Sequence, residues 1–403
     1  MIFSIQHIAA LARQHFSLSA TATPLAGEID LNFLLETPSG EKFNLKIAHP
    51  DTLRQYLEFQ NALMQRLGDA GLGLDIPHAV RSVEGAEITA IIAPDGSQRF
   101  MRLLSWVEGR CFAEVNPHTP VLLEKVGEMC GKLSHALDGF DHPAAHRFIK
   151  WDASQAAWTG EHLHQIEGAD KQALAQYFYQ WFEKCAAELL PQLRQSICYN
   201  DANDYNILVS QNRENPVVPG VIDFGDAVFT HTINDLAIAC AYCAMHKPDP
   251  PAAIFQLVKG YHQQFPLTEK EAEALFPLIG ARLLISVTCS TLNRVENPDN
   301  AYLQISDGPA WDLLKKLRGI PPLLAHATVR EACGWEPFSK HEDFLHWVKT
   351  ARQTFKPLVS ADLRSKNAVW LDLSVGSADL GNYGDSSVGL AAISSVGSSF
   401  GSW

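Results

Sequence analysis

Two short segments constrain this chain more than anything else in it: Asn200–Val209, Asn-Asp-Ala-Asn-Asp-Tyr-Asn-Ile-Leu-Val, and Val221–Asp226, Val-Ile-Asp-Phe-Gly-Asp. Asp201 stands five residues before Asn206, and Asp223 follows one strand–turn–strand later. Ile207–Val209 and Val217–Ile222 are apolar runs rich in β-branched residues, parted by the turn-forming Gln-Asn-Arg-Glu-Asn-Pro. The pattern predicts a hairpin with Asn206 and Asp223 at neighbouring ends, facing one site. An acid with two hard oxygen donors beside it is what phosphoryl transfer requires: an acceptor for a hydroxyl proton, and ligands for a divalent cation that neutralises charge on phosphates. On this reading Asp201 is the proton acceptor, and Asn206 and Asp223 hold Mg²⁺.

Upstream residues test the idea separately. A two-lobed kinase needs a lysine on an early strand to grip phosphates and an acid on the next helix to pair with it. Phe43–Ala48 alternates as a strand does, and Lys46 is its only cation. After His49-Pro50, Asp51 or Thr52 can cap a helix in which Leu53, Leu57, Leu63, Met64 and Leu67 form an apolar stripe, with Glu58 beside it. Lys46 is therefore the expected phosphate-binding residue and Glu58 its expected partner. Taken singly, each is better explained as a surface charge; the later Asp201, Asn206 and Asp223 set is what favours function.

At these residues the sequence resembles the aminoglycoside phosphotransferase and choline kinase superfamily. The Asp201, Asn203, Asn206 spacing followed by Ile-Asp-Phe-Gly-Asp is most similar to its hydroxylysine-kinase-like branch, over roughly residues 20–320. The resemblance implies an α+β, two-lobed protein-kinase-like fold, with a small antiparallel-sheet N-lobe and a mostly helical C-lobe. It also implies ATP or GTP as donor, Mg²⁺, and an amino-bearing small molecule as acceptor: hydroxylysine, ethanolamine or a similar amino alcohol, or an amino sugar. Gly27 would lie in the nucleotide-covering loop, and Leu104, Ser105 and Trp106 at the hinge that meets the purine. Asp235, opening an Asp-Leu-Ala helix, matches a family position that anchors the catalytic loop, although a helix cap would also account for it. One departure stands out: the family has His-Gly before the catalytic Asp, and here Tyr199 and Asn200 stand there.

Composition narrows the alternatives. The 403 residues are 46% hydrophobic and 19% charged, enough to bury one or two cores. A net charge of −13 argues against nucleic acid, whose phosphates demand a basic face, and suits a cationic substrate. Met1–Phe16 carries His7 and Arg13 in its apolar pattern and lacks the features of a signal peptide. No uninterrupted apolar run of membrane-spanning length is apparent, so a cytoplasmic, membrane-free enzyme is expected. Of the eight cysteines, Cys240 and Cys243 form a CxxC inside an Ala-rich helical stretch, where Cys reads as a small core residue rather than a metal ligand.

Helical spacing is strong over Thr119–Asp138, Ala173–Leu190 and Glu269–Asn293. Substrate-site candidates within the large lobe are Trp151, Asp152, Asp226, Arg282, Ser286 and Arg294. An arginine fork suits a substrate carboxylate, and Asp226 an ammonium. The expected organisation is an N-lobe at 1–105, a C-lobe at 106–325, a helical extension at 326–357 containing an amphipathic helix over 338–355, and a Ser- and Gly-rich linker or further domain at 358–403. That last segment resembles the opening of an added module in larger fusions, in which such a kinase precedes peptidase-like and aminotransferase-like domains. Two other function classes fit less well. A nucleotide-binding pseudokinase with a regulatory or scaffolding role would explain Tyr199, Asn200 and the glycine-poor loop. A protein kinase would need an Ala-Pro-Glu and an activation segment after Asp223, for which there is no room.

Overall fold

The computed structural model describes residues 3–27, 29–296 and 306–338, with single positions at 342, 343 and 346. All but four positions of the expected amphipathic helix at 338–355, and all of 358–403, lie outside the described residues.

The N-terminal part is a helix followed by an antiparallel sheet. Helix α1 (Ile5–Phe16) is capped by Ser4, whose hydroxyl accepts the His7 N–H, and buries Ile8, Leu11 and Ala12 against the sheet. Strands β1 (Thr21–Leu25), β2 (Leu31–Glu36), β3 (Lys42–Ile47) and β6 (Gln98–Ser105) run side by side, with β4 (Ala79–Val80) and β5 (Thr89–Ile92) both pairing β6. The β3–β6 register sets Lys46 opposite Arg102. Because facing residues of adjacent strands share a side of the sheet, the two cations project together. Helix α2 (Arg54–Asp69) crosses between β3 and β4. Neither Asp51 nor Thr52 caps it: Leu53 occupies the cap position, without a side-chain bond.

After Ser105 the chain leaves this sheet and enters β7 (Arg110–Cys111), which pairs β9 (Ile207–Val209) in the second part of the molecule. The predicted hairpin is present, with β9 antiparallel to β10 (Gly220–Val221), and the Ile222 N–H donates to the Asn206 carbonyl at 3.0 Å. Strands β8 (Gln195–Cys198) and β11 (Val228–His231) form a second short ladder beneath the loop that carries Asp201.

Helices supply the rest. Helix α3 (Pro120–Leu137), with Thr119 as its cap, packs backbone-close on α6 (Pro250–Gln264). Side chains are excluded there: a Cβ on Gly127 would lie 2.0 Å from the Leu257 carbonyl oxygen, and one on Gly260 2.0 Å from that of Glu124. Around this pair lie α4 (Ala169–Glu188), α5 (Asn234–Cys243), α7 (Glu269–Glu296), α8 (Asp307–Arg318) and α9 (Pro322–Ala332). Contrary to the reading of the bare sequence, Glu269–Arg294 in α7 is long and apolar enough to cross a membrane, but 89% of its apolar window is buried against neighbouring elements. It is the central helix of the large core.

Candidate active site

The loop Tyr199–Asn206 is held from behind by α5. Asp235, fully buried, accepts the Asn200 N–H at 2.7 Å and the Tyr199 N–H at 3.2 Å through its two oxygens. It sits in the first turn of α5 and caps nothing, since Ile233 is the cap residue. Burial raises its carboxyl to about 7 despite those two amide bonds.

Tyr199 and Asn200 have clear local reasons. Asn200 adopts a left-handed backbone, φ 62°, which Gly adopts freely and Asn tolerates better than most residues. Its side-chain amide donates to the Asp226 carbonyl at 3.2 Å. Tyr199 is buried, donates its hydroxyl to the Ile222 carbonyl next to Asp223, and lies 5.0 Å ring to ring from Phe224. The two residues thus tie the Asp201 loop to the Asp223 loop.

Asp201 emerges from this scaffold with its oxygens already engaged. Oδ2 accepts Asn206 Nδ2 at 2.6 Å; Oδ1 accepts Asn203 Nδ2 at 2.9 Å and the Arg282 guanidinium at 3.3 Å. Burial, and then Asp226, push its carboxyl well above the ordinary range, while Arg282 opposes them. Asp223, also with positive φ, 59°, accepts Lys46 Nζ at 3.2 Å and the Gly225 N–H at 3.2 Å. The Lys46 charge outweighs burial and holds Asp223 below its ordinary value. Asn206 and Asp223 therefore stand at adjoining strand ends, one ionised and one neutral oxygen donor. Among the described residues no group of three or more His, Cys, Asp and Glu side chains is arranged to hold a metal alone. Mg²⁺ does not require one, because phosphate oxygens and water complete its shell beside one or two protein ligands.

Lys46 does not meet Glu58. Its amino group lies between Asp223 and Asp30, the latter at 3.9 Å, whereas Glu58 pairs with Arg54 at 2.9 Å one turn earlier on α2 and is half exposed. The reason is the rotation of α2: its inward face carries Gln60 and Asn61, which accept the Arg102 guanidinium at 2.6 and 2.9 Å. Arg102 is 2% exposed, and burial lowers it to about 10 although Asp30 and Asp223 favour its charge. Neither Arg102 nor Asp30 was singled out by the sequence; the alternation that marked β3, continued across to β6, could have found Arg102.

Gly27 lies in the β1–β2 turn. A Cβ there would fall 2.5 Å from Asn32 Nδ2 and 2.7 Å from the Asp30 carbonyl oxygen, so glycine is required by the turn's own closure. At the crossing between the two parts, Leu104 is buried, and Ser105 is bonded to His78 both ways: its N–H donates to the His78 carbonyl, and its hydroxyl accepts the His78 N–H, each at 3.0 Å. The Ser105 N–H is thus not available to a purine. Trp106 follows directly, partly buried.

Several substrate-site expectations are redirected. Asp152 is 1% exposed, and one of its oxygens accepts the Ser154 N–H, Thr230 Oγ1 and Asn234 Nδ2 at 2.7–3.0 Å, an internal hub that burial raises to about 6. Arg294 is paired with Asp307, and Ser286 is buried in α7. Arg282 is committed to Asp201 and the Trp151 carbonyl, and lies against the Trp151 and Tyr242 rings. Asp226 lies near Asp201, with its charge facing Arg282 and Arg147. Arg147 donates to the carbonyls of Gly225 and Ala227 and lies over Tyr56 of α2, fastening the Asp223–Asp226 turn.

Comparison with known proteins places the chain in a family. Residues 21–273 match the model of the phosphotransferase enzyme family. Hydroxylysine kinase of Danio rerio is 25% identical over 318 residues, 76% of this chain and 89% of that protein, and that of Xenopus laevis is 27% identical over 73% and 84%. Homoserine kinase of Zymomonas mobilis is 27% identical over 65% of this chain and 77% of its own length. Among solved structures, a microcompartment-associated aminopropanol kinase superposes with a TM-score of 0.59 at 18% identity, covering 81% of this chain and 98% of the other. An amicoumacin kinase in complex with AMP-PNP and Ca²⁺ gives 0.60 at 16%, covering 78% and 94%. The chain belongs to the phosphotransferase enzyme family and is a small-molecule kinase with the two-lobed protein-kinase-like fold.

Proposed function

We propose that the enzyme transfers the γ-phosphate of ATP or GTP to the hydroxyl of an amino-bearing metabolite, with hydroxylysine the first compound to test and homoserine, ethanolamine and other amino alcohols beside it. The observation that carries this reading is the Asp201 carboxylate, fixed by three donors and set near a second acid, Asp226, with Asp223, paired to Lys46, close enough to act on it as well. Asp201 accepts the proton of the substrate hydroxyl, and Asp226 gives a nearby ammonium its counter-charge. Lys46 meets the phosphates of the nucleotide, for which it would exchange part of its contact with Asp30 and Asp223. Asn206 and Asp223 would hold Mg²⁺, whose charge, when bound, offsets that of the triphosphate. The relatives' names support an alcohol on an amino-bearing small molecule.

The test is nucleotide consumption with MgATP and MgGTP across hydroxylysine, homoserine, ethanolamine, choline and an aminoglycoside, with products identified by mass. A phosphorylated amino alcohol is the expected product. Turnover confined to substrates without an amine would remove the role given to Asp226 and with it the substrate class.

A further inference from the structure

Arg282 comes from the middle of α7 and is 2% exposed, yet its guanidinium reaches Asp201 Oδ1 at 3.3 Å and also donates to the Trp151 carbonyl. The rings of Trp151 and Tyr242 lie 4.9 and 5.4 Å from its central carbon. Trp151 is itself fixed, because the adjacent Asp152 is bonded to β11 and α5 through Thr230 and Asn234. The other two donors to Asp201, Asn203 and Asn206, belong to the same loop as Asp201. They can orient the carboxylate only relative to that loop. Arg282 is the donor that references it to the core of the lobe.

We propose that Arg282 is a positioning residue for phosphoryl transfer: anchored by Trp151, it sets the direction in which Asp201 meets the substrate hydroxyl, and it does not itself bind substrate. The inference rests on the reading of Asp201 as proton acceptor. An arginine is needed because its planar fork serves two acceptors at once in fixed geometry, whereas a lysine ammonium at the end of a flexible stem does not. Displacing a reacting group by about 1 Å can cost on the order of 100-fold in rate.

Steady-state kinetics of Arg282→Lys, Asp201→Asn and the double variant decide the matter, using MgATP and the amino alcohol that the wild-type enzyme turns over fastest. Arg282→Lys is expected to lower kcat by about 10- to 100-fold, with both KM values changed less than about threefold. In the Asp201→Asn background the same change should cost less than about twofold, because a residue acting through Asp201 has nothing left to act on. Multiplicative losses in the double variant would mean a general structural role and overturn the proposal. A large rise in the amino alcohol KM with kcat preserved would make Arg282 a substrate ligand, and unfolding of Arg282→Lys would make it a fold residue; either outcome also overturns it. Near-normal turnover by Asp201→Asn alone would instead remove the proton-acceptor reading on which the inference rests.

Discussion

Two buried arginines stand behind the candidate site, one in each part of the molecule, and they are satisfied in opposite ways. Arg102, on β6 behind Lys46, is held by the neutral oxygens of Gln60 and Asn61 and forms no ion pair among the described residues. Arg282, on α7 behind Asp201, is bonded to a carboxylate and lies against two aromatic rings. A buried cation without an anion is the costlier arrangement, and amide oxygens make it tolerable without cancelling its charge. Lys46 and Arg102 thus share the field of Asp30 and Asp223, whereas Asp201 has Asp226 beside it and Arg282 against it. On the proposed reading the two cations lie toward the triphosphate and the two acids toward the ammonium-bearing alcohol.

The sharpest way to break this comparison is at Asp201. Asp201→Asn is expected to reduce kcat by about 100-fold or more, with nucleotide affinity within about threefold of the wild type, since only the proton acceptor and hydroxyl alignment are lost. Nucleotide affinity can be followed by thermal shift and turnover by product formation. A parallel collapse of affinity would mean that the carboxylate serves the nucleotide side as well.

How much of this was legible beforehand depends on the range of each interaction. The β9–β10 hairpin declared itself through β-branched runs around a turn, and the strand of Lys46 through alternation, because both are local patterns. The stripe that marks α2 as a helix does not say how it is rotated on the sheet, and Glu58, expected beside Lys46, pairs with Arg54 instead. That rotation is decided by Arg102, 41 and 42 residues away from the amides that accept it. Arg282 carries no local sign of its partner either, standing 81 residues from Asp201. Tyr199 and Asn200 depart from the family pattern for reasons that only the fold carries, a left-handed turn and a bond to the Ile222 carbonyl.

Arg102 allows a second, smaller test. Arg102→Met removes a unit charge near the phosphates, worth on the order of 1–2 kcal/mol at an effective dielectric near 20, so the KM for MgATP should rise about tenfold. Stability should hardly change. Relief of a buried charge, about 1–4 kcal/mol, is offset by the two amide oxygens left without a donor, about 1–3 kcal/mol each. Thermal denaturation of the nucleotide-free enzyme measures that balance. Unchanged KM would show that Arg102 serves only to seat α2.

Asp235 distinguishes holding the loop from acting in it. Asp235→Asn puts an amide NH₂ toward one of two backbone N–H groups and should cost about 1–3 kcal/mol of stability, with kcat falling less than for Asp201→Asn. The pH dependence has a definite sign. Burial raises the Asp235 carboxyl to about 7 and that of Asp152 to about 6. The folded protein thus retains protons between about pH 4 and 7 that the unfolded chain has released, so this contribution is full below pH 4 and is lost as pH rises toward 7. A melting temperature that falls between pH 5 and 7.5, with a flatter slope in Asp235→Asn, is the expected result.

The smallest effect belongs to Glu58, and its smallness is informative. The side chain is half exposed and its partner Arg54 is a neighbour on the same helix, a pair worth about 0.3–0.5 kcal/mol. Glu58→Gln should therefore alter kcat and both KM values by less than about twofold, and the melting temperature by roughly 1–2 °C at most. Lys46 is already placed by Asp223 and Asp30, and the inward side of α2 is occupied by Gln60 and Asn61, so no vacancy exists for a glutamate to fill. A tenfold rise in the nucleotide KM would contradict that arrangement directly. It would mean that α2 turns during the catalytic cycle, giving up the Arg102 amides to bring Glu58 onto Lys46, and that Lys46 alternates between two pairings.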